Sequence, residues 1–322
     1  MSERVVFFNG KFVPENEAKI SIYDSSLMFG DMVFEMTRSF NKKQFKLREH
    51  LERLFASIKY LQIPMQYSID EMESFVYETI EKNEPFFDDD DEHRIMIDVS
   101  RGLLGIYENN VDVEKGTNVI IADFPLYWTV ASMGPLYDTG INAVIPSQRA
   151  IPADLLDPKI KNRSRIHYLM ANMQVAQIPG DRNWALLLDT DGFIAEGTGD
   201  NFFIVKDDCV ITPEGRNILR GVSRAYVMEI CNAKNIPCVE KNIDYYDVLT
   251  ADEAFMTGTP FCMLPVTMIN GQNIGSGKMG KKTKEIIDFW GENCGLDIIA
   301  QIKNYAKKVK SKSNSPSPYR FK

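Results

Sequence analysis

The strand and helix patterns of this 322-residue chain run once, stop between residues 126 and 138, and then start again. Before the break, "VVFFNGKFV" alternates around Asn9-Gly10, a residue pair suited to a two-residue hairpin turn. "HLERLFASIKYL" repeats apolar residues at Leu51, Leu54, Phe55, Ile58 and Leu61, which is a helical period. "IDEMESFVYETIEKN" reads as a second helix, "FFDDDDEHR" as a solvated acidic turn, and "RIMIDVS" and "TNVIIADF" as strands. After the break come the short strands "INAVIPS", "WALLLDT", "GFIAEG", "NFFIVKD" and "CVITP", with helices predicted to start near Asn162, Gly221 and Lys281. The pattern predicts an α/β (α+β) chain of two domains. Residues 1–125 form a small N-terminal domain, 126–138 a linker, 139–310 a larger domain and 311–322 a flexible basic tail rich in Ser and Pro.

Composition narrows what such a chain can do. The net charge of −8 repels nucleic acid and anionic membrane, so neither is expected as a partner. No apolar run approaches the roughly 18 residues that span a bilayer, and "MSERVVFFNG" lacks a signal-peptide pattern, so a cytoplasmic protein is expected. Cys209, Cys231, Cys238, Cys262 and Cys294 are odd in number and form no C-x-x-C pair, which reads as reduced thiols. The only histidines, His50, His93 and His167, lie far apart, and no metal site is expected. "GSGKMGKKT" (275–283) nearly matches a phosphate loop. It has Lys282 where a magnesium-holding hydroxyl belongs and too little chain after it for a βαβ sheet, so it reads as a turn into a helix.

Four segments remain that are built for chemistry. "DPKIKNRSRIHYL" alternates Lys159, Lys161, Arg163 and Arg165 with apolar and small residues, which suits neither a polyanion patch nor a plain turn. "NILRGVSRAYVMEICNAK" places Gly221 before an amphipathic helix, whose first N–H groups can receive a phosphate. "AFMTGTPF" ends a strand with two threonines flanking Gly258. "DTDGFIAEGTGDNFFIV" turns at Asp191-Gly192 and brings Glu196 into a loop of small residues that a flat ligand can approach.

With "FGDMVFEMTR", "LREHLERL", "IKNRSRIHYL", "EGTGDNFF", "LRGVSRA" and "FMTGTPFCMLPV" in this order, the chain resembles the fold-type IV pyridoxal-phosphate enzymes. That group holds the branched-chain and D-amino acid aminotransferases, the aminodeoxychorismate lyases and the (R)-selective amine transaminases. The resemblance implies a small N-terminal domain, a larger pseudo-barrel domain, and pyridoxal 5'-phosphate in the cleft between them. It implies that Lys161 forms the Schiff base, that Glu196 faces the pyridine nitrogen, and that Arg53, Val222, Ser223 and Thr259 hold the phosphate. Such a lysine must be neutral to react, a state that desolvation and neighbouring cations favour.

The implied reaction is a ping-pong transfer of an amino group between an amino acid, branched-chain-like by default, and a 2-keto acid. Lys161 serves as the general base at the α-carbon. Alternatives that share the lysine are a lyase of the aminodeoxychorismate type and a D-amino acid or (R)-amine transaminase; a non-enzymatic anion-binding protein lies outside the class. Substrate contacts are expected from Phe34, Arg94, Arg101 and Thr259. Arg94 and Arg101 both stand as candidates for the carboxylate grip, because Pro260 replaces the alanine of the branched-chain pattern and has no N–H to donate. Small-molecule donor and acceptor are the expected partners, and the resemblance implies a homodimer that lends a loop to each site.

Overall fold

The computed structural model describes residues 4–112 and 114–309, so the 311–322 tail expectation lies outside the described residues. The chain divides into two compact units, one running to Leu126 and including Ile160–Arg165, the other comprising Tyr127–Lys159 and the chain from Ile166 onward.

In the first unit, β1 (Val5–Phe8) and β2 (Lys11–Pro14) form the expected hairpin, with Asn9 at φ 50° and Gly10 at φ 86° in its turn. A short helix α1 (Ser25–Phe29) precedes β3 (Met32–Met36), and β4 (Ser39–Phe40) pairs with β5 (Lys43–Gln44) in a separate small hairpin. Helix α2 (Leu47–Tyr60) and helix α3 (Ile69–Asn83) follow, α3 opened by a reciprocal cap between Ser68 and Glu71. The strands β6 (His93–Ser100) and β7 (Asn118–Pro125) complete an antiparallel sheet in the order β2-β1-β7-β6-β3.

Because side chains alternate along a strand, one face of β3 and β6 carries Val33, Ile95, Ile97 and Val99, all fully buried in a core with Leu47, Leu51, Leu54 and Ile58 of α2. The other face carries Phe34 opposite Asp98 and Met36 opposite Met96. Arg38 and Arg94 follow at the next positions of the same alternation.

The second unit begins with helical turns, α4 (Tyr127–Val130) and α5 (Leu136–Thr139), where the sequence suggested a linker. Its sheet takes in β8 (Ile141–Val144), β9 (Asn183–Leu188), β10 (Ile194–Gly197), β11 (Asn201–Lys206), β12 (Cys209–Thr212), β13 (Cys238–Glu240), β14 (Glu253–Gly258), β15 (Cys262–Ile269) and β16 (Gln272–Asn273). Six of these close into a ring, β10-β9-β8-β15-β14-β11, sealed by the single pair Glu196 and Asn201. This is the barrel-like sheet that the resemblance implied.

Helices α6 (Ile166–Val175), α7 (Val222–Ala233), α8 (Tyr245–Leu249), α9 (Lys281–Cys294) and α10 (Ile298–Lys308) belong to the same unit. Helix α6 starts four residues later than expected at Asn162. Residues before it are tied to β3 as an added edge, Asn162 bridging Val33, and the Asn162 side chain accepts from the Ser164 N–H at 3.0 Å in a local turn.

The phosphate-loop look-alike is closed to phosphate by its own chain. The Glu253 carboxylate accepts the N–H groups of Lys282 and Thr283 at 2.9 and 2.7 Å and the Thr283 hydroxyl at 2.7 Å. A carboxylate therefore already occupies the N-terminus of α9. Gly280 is required there, since a Cβ would run into that carboxylate. All five cysteines are free thiols. Among the described residues, no helix is long and apolar enough to cross a membrane.

Candidate functional site

In the first unit, the loop bearing Lys161 is fixed on both sides. Ile160 is buried in the core shared by the sheet and the two helices, anchoring the residue before the lysine. The Lys161 carbonyl accepts from the Phe34 N–H at 2.9 Å, and the Arg163 N–H donates to the Met32 carbonyl at 2.9 Å. The Lys161 N–H donates to the Ser57 hydroxyl, 3.2 Å away, which itself donates to the carbonyl of Arg53 at 3.0 Å. Arg53 and Ser57 are four residues apart on α2 and so share one helix face. One turn of helix thus serves both the lysine and the arginine that the sequence singled out.

Arg53 is aimed by a residue that sequence reasoning missed. Glu35, fully buried on β3, accepts Arg53 Nε at 2.6 Å and Nη2 at 2.8 Å, and accepts His50 Nδ1–H at 2.7 Å. Burial alone would raise the Glu35 carboxyl, but the Arg53 guanidinium and the bonds that Arg53 and His50 donate hold it well below the usual carboxylate range. Burial in turn pushes the His50 imidazole down, so it is the neutral ring that donates. A signal was present in "VFEM", where a charge interrupts an apolar strand, but its partner lies 18 residues away and on a helix.

Phe34 is buried and ringed by basic side chains. Lys161 Nζ lies 4.8 Å from the ring centroid, and the Arg163 and Arg165 guanidinium carbons lie 3.8 and 5.5 Å from it. Farther along the same strand face, Arg94 is buried with no carboxylate partner. Its Nε and Nη1 donate to nothing among the described residues, and Nη2 reaches only the Met36 sulfur at 3.5 Å. Burial first, and then the neighbouring Arg38, push the Arg94 guanidinium down to about 9. Arg101, the other candidate for the carboxylate, has its donors engaged: Nε on Asp31 at 2.6 Å, Nη1 on the Gln62 carbonyl at 2.9 Å and Nη2 on the Leu61 carbonyl at 2.8 Å.

In the second unit, Glu196 sits at the seam of the six-stranded ring and is buried. Its Oε1 accepts the Tyr168 hydroxyl at 2.9 Å, and its Oε2 accepts Asn201 Nδ2 and the Leu219 N–H, each at 3.0 Å. Asn201 also donates to the Leu219 carbonyl at 2.9 Å, so it ties the glutamate to the turn that leads into α7. That helix begins after Gly221 without a side-chain cap, and Val222 and Ser223 follow as its first two residues. A Cβ at Gly221 would collide with the Asn201 carboxamide, which explains the glycine. Thr257, in register with Asn201, has a buried hydroxyl with no partner among the described residues. Thr259 lies half-buried in the turn after β14.

These features suit the expected cofactor. An acceptor-only carboxylate steadied by three donors matches a protonated ring nitrogen, and an uncapped helix start beside small and hydroxyl residues matches a phosphate. A half-buried lysine on a doubly pinned loop matches an amine that must be presented in one position. Tyr168 supports Glu196 through its hydroxyl. Among the described residues, the three carboxylates spaced like metal ligands are Asp88, Asp90 and Asp91 of the acidic turn, the first two exposed.

Comparison with known proteins agrees with this chemistry. The family model described as amino-transferase class IV matches residues 32–269. A putative branched-chain-amino-acid aminotransferase of Methanocaldococcus jannaschii is 36% identical over 283 residues, covering 87% of this chain and 93% of the relative. Among solved structures, the branched-chain amino acid aminotransferase of Escherichia coli superposes with a TM-score of 0.80 at 28% identity, over 90% of this chain and 94% of that one. The T.th. branched-chain amino acid aminotransferase with pyridoxamine 5'-phosphate gives a TM-score of 0.81 at 26% identity, over 95% of this chain and 98% of that one. The chain belongs to the class IV amino-transferase family and is a pyridoxal 5'-phosphate-dependent aminotransferase.

Proposed function

We propose that this enzyme moves the amino group of a branched-chain-like amino acid to a 2-keto acid, with Lys161 as the reacting amine. The observation that carries this reading is the double fixation of the Lys161 loop by Ile160 in the core and by Ser57 on the helix that also bears Arg53. The named relatives support the donor class, since those compared above are branched-chain enzymes.

When bound, pyridoxal 5'-phosphate supplies an electrophilic aldehyde and a ring that accepts electrons from the substrate α-carbon. In this reading Arg53, Val222, Ser223 and Thr259 hold its phosphate, and Glu196 keeps the ring nitrogen protonated. Glu35 fixes the direction of the Arg53 fork, and Tyr168 and Asn201 fix the Glu196 carboxylate. Lys161 retains the cofactor between turnovers. With the cofactor bound, its Nζ would act as the base that takes the α-proton and would deliver it to the cofactor instead of the α-carbon, as a net amino transfer requires. Phe34 borders the substrate, and Arg94 lies on the same strand face as a buried cation with no carboxylate beside it.

A second copy of the chain is the proposed partner. Ile22, Leu27 and Phe29 around α1 are 74%, 61% and 69% exposed, a cluster that a homodimer would cover. The cytoplasm is the proposed location. The direct test adds leucine alone to the holoenzyme: conversion of the visible absorbance to that of the aminated cofactor is expected. Lys161→Ala is expected to abolish both that conversion and the borohydride-trapped adduct. A holoenzyme that leaves its cofactor unchanged with leucine but reacts with D-alanine or (R)-phenylethylamine would refute the donor class.

A further inference from the structure

The Arg163 guanidinium is held by two groups at once. Nε donates to Asp98 Oδ1 at 2.8 Å, and the guanidinium carbon lies 3.8 Å from the centre of the Phe34 ring. Asp98 stands directly across from Phe34 in the β3–β6 ladder, so the carboxylate and the ring grip the guanidinium from adjacent positions of one sheet face. The Arg163 N–H is bonded to Met32, which fixes the stem as well. Among the described residues, its two terminal nitrogens donate to no protein atom, and the side chain is 31% exposed.

A guanidinium locked at Nε and stacked on a ring, with both Nη groups uncommitted, is a preorganised fork for a carboxylate. Its place relative to the reaction follows from the shared ring. Lys161 Nζ is 4.8 Å from the same Phe34 centroid. The carbon that loses its proton to Lys161 carries its carboxylate one bond away, within reach of a cation on that ring. The chain also needs such a cation, because Pro260 offers no N–H at a position where the branched-chain pattern has alanine. Arg101 has its donors engaged by Asp31 and two carbonyls, and Arg94 lies four residues from Asp98 along β6, about 13 Å at the usual strand rise.

We propose that Arg163, aimed by Asp98 and Phe34, is the residue that binds the α-carboxylate of the substrate. This rests on the aminotransferase reading with Lys161 as the reacting amine. It makes Arg163 a determinant of specificity: substrates with a carboxylate on the reacting carbon are favoured over plain amines of the same shape. Asp98 is a positioning residue, acting only through the guanidinium.

The test uses the holoenzyme and two unreactive probes that differ in charge alone, 4-methylpentanoate (leucine without its amino group) and its neutral amide. Binding is read from the perturbation of the cofactor's visible band. In Arg163→Ala the carboxylate is expected to bind about ten- to a hundredfold more weakly, the range for a lost charge-assisted hydrogen bond. The amide should change less than about twofold on the same reasoning, since it has no charge to lose. Arg163→Lys should recover part of the difference, and Asp98→Asn should fall between wild type and Arg163→Ala. Arg163→Gln serves if the alanine variant does not fold. Unchanged carboxylate affinity in Arg163→Ala or Arg163→Gln would overturn the assignment, as would an equal loss for the amide. Loss of charge discrimination in Arg94→Met with its retention in Arg163→Ala would transfer the role to Arg94. A wild-type protein with no visible band and no borohydride-trapped Lys161 would instead refute the reading beneath the proposal.

Discussion

Replacing Glu35 by glutamine keeps the shape of the side chain and removes its charge, so it isolates what the buried carboxylate does. Glu35 is fully buried and accepts three charge-assisted or strongly polar bonds, two from Arg53 and one from His50, at 2.6 to 2.8 Å. A glutamine offers one acceptor oxygen, and its amide turns a donor toward a guanidinium or imidazole that also donates. Breaking one side of a buried ion pair costs about 3–5 kcal/mol, because the partner charge stays buried. That is a fall in the folded-to-unfolded ratio of roughly a few hundred- to a few thousandfold.

The assay is urea unfolding of wild type and Glu35→Gln at a series of pH values. Because the folded carboxyl lies below its unfolded value of 4.5, its stabilisation is fully present above that pH and is lost as pH falls below it. The gap between the two proteins should therefore be widest near neutrality and close below about pH 4.5. His50, held neutral by burial, adds an acid loss of the same sign that begins nearer its unfolded value of 6.5. Cofactor affinity should fall in parallel, as Arg53 loses its aim. A gap under about 1 kcal/mol, or one that stays constant from pH 7 to pH 3, would refute the reasoning, since an exposed pair behaves that way.

Ile160→Ala should destabilise by about 2–5 kcal/mol and lower kcat as the lysine loop loosens, whereas Ile160→Val should cost about 0.5–1.5 kcal/mol; thermal melting with steady-state kinetics would show both. Arg94→Met should leave the ligand-free protein as stable as wild type or about 1–4 kcal/mol more stable, because an uncompensated buried charge is removed. The penalty of the wild-type guanidinium is full below about 9 and relieved above it, so that gap should shrink in alkaline unfolding titrations. A variant clearly less stable than wild type at pH 7 would show that Arg94 has a partner in the folded protein.

Local signals carried the hairpin at Asn9-Gly10, the capped helix after Ser68 and the strand sequence of both units, because each depends on neighbours a few residues apart. The start of α6 was misplaced for the opposite reason. A helix was expected from Asn162, but a sheet edge over a hundred residues earlier bonds to Lys161 and Arg163 and holds this stretch out of the helix. The lysine itself was legible through its block of sequence. The reason for the isoleucine before it became visible only as a buried side chain in a distant core. Glu35, Ser57, Asn201 and Asp98 were missed because their meaning lies in pairings across 18, 104, 5 and 65 residues. The Asn201 pairing is the short one, and it was hidden because polar residues in a loop of glycine and threonine look like turn chemistry. Arg101 was a candidate on motif alone, and three engaged nitrogens set it apart from Arg94.

The ring of six strands in the second unit is closed by one residue pair, and one member of that pair is Glu196. The side chain proposed to meet the cofactor is thus anchored where the barrel is sewn shut, with Asn201 as the stitch on the facing strand. Loading the enzyme should tighten that seam, because a ligand that binds only the closed barrel adds RT ln(1 + [L]/Kd) to its stability. Backbone amides of β10 and β11 should exchange with solvent more slowly in the loaded protein. The closure of this barrel and its readiness to react would then be two measurements of one equilibrium.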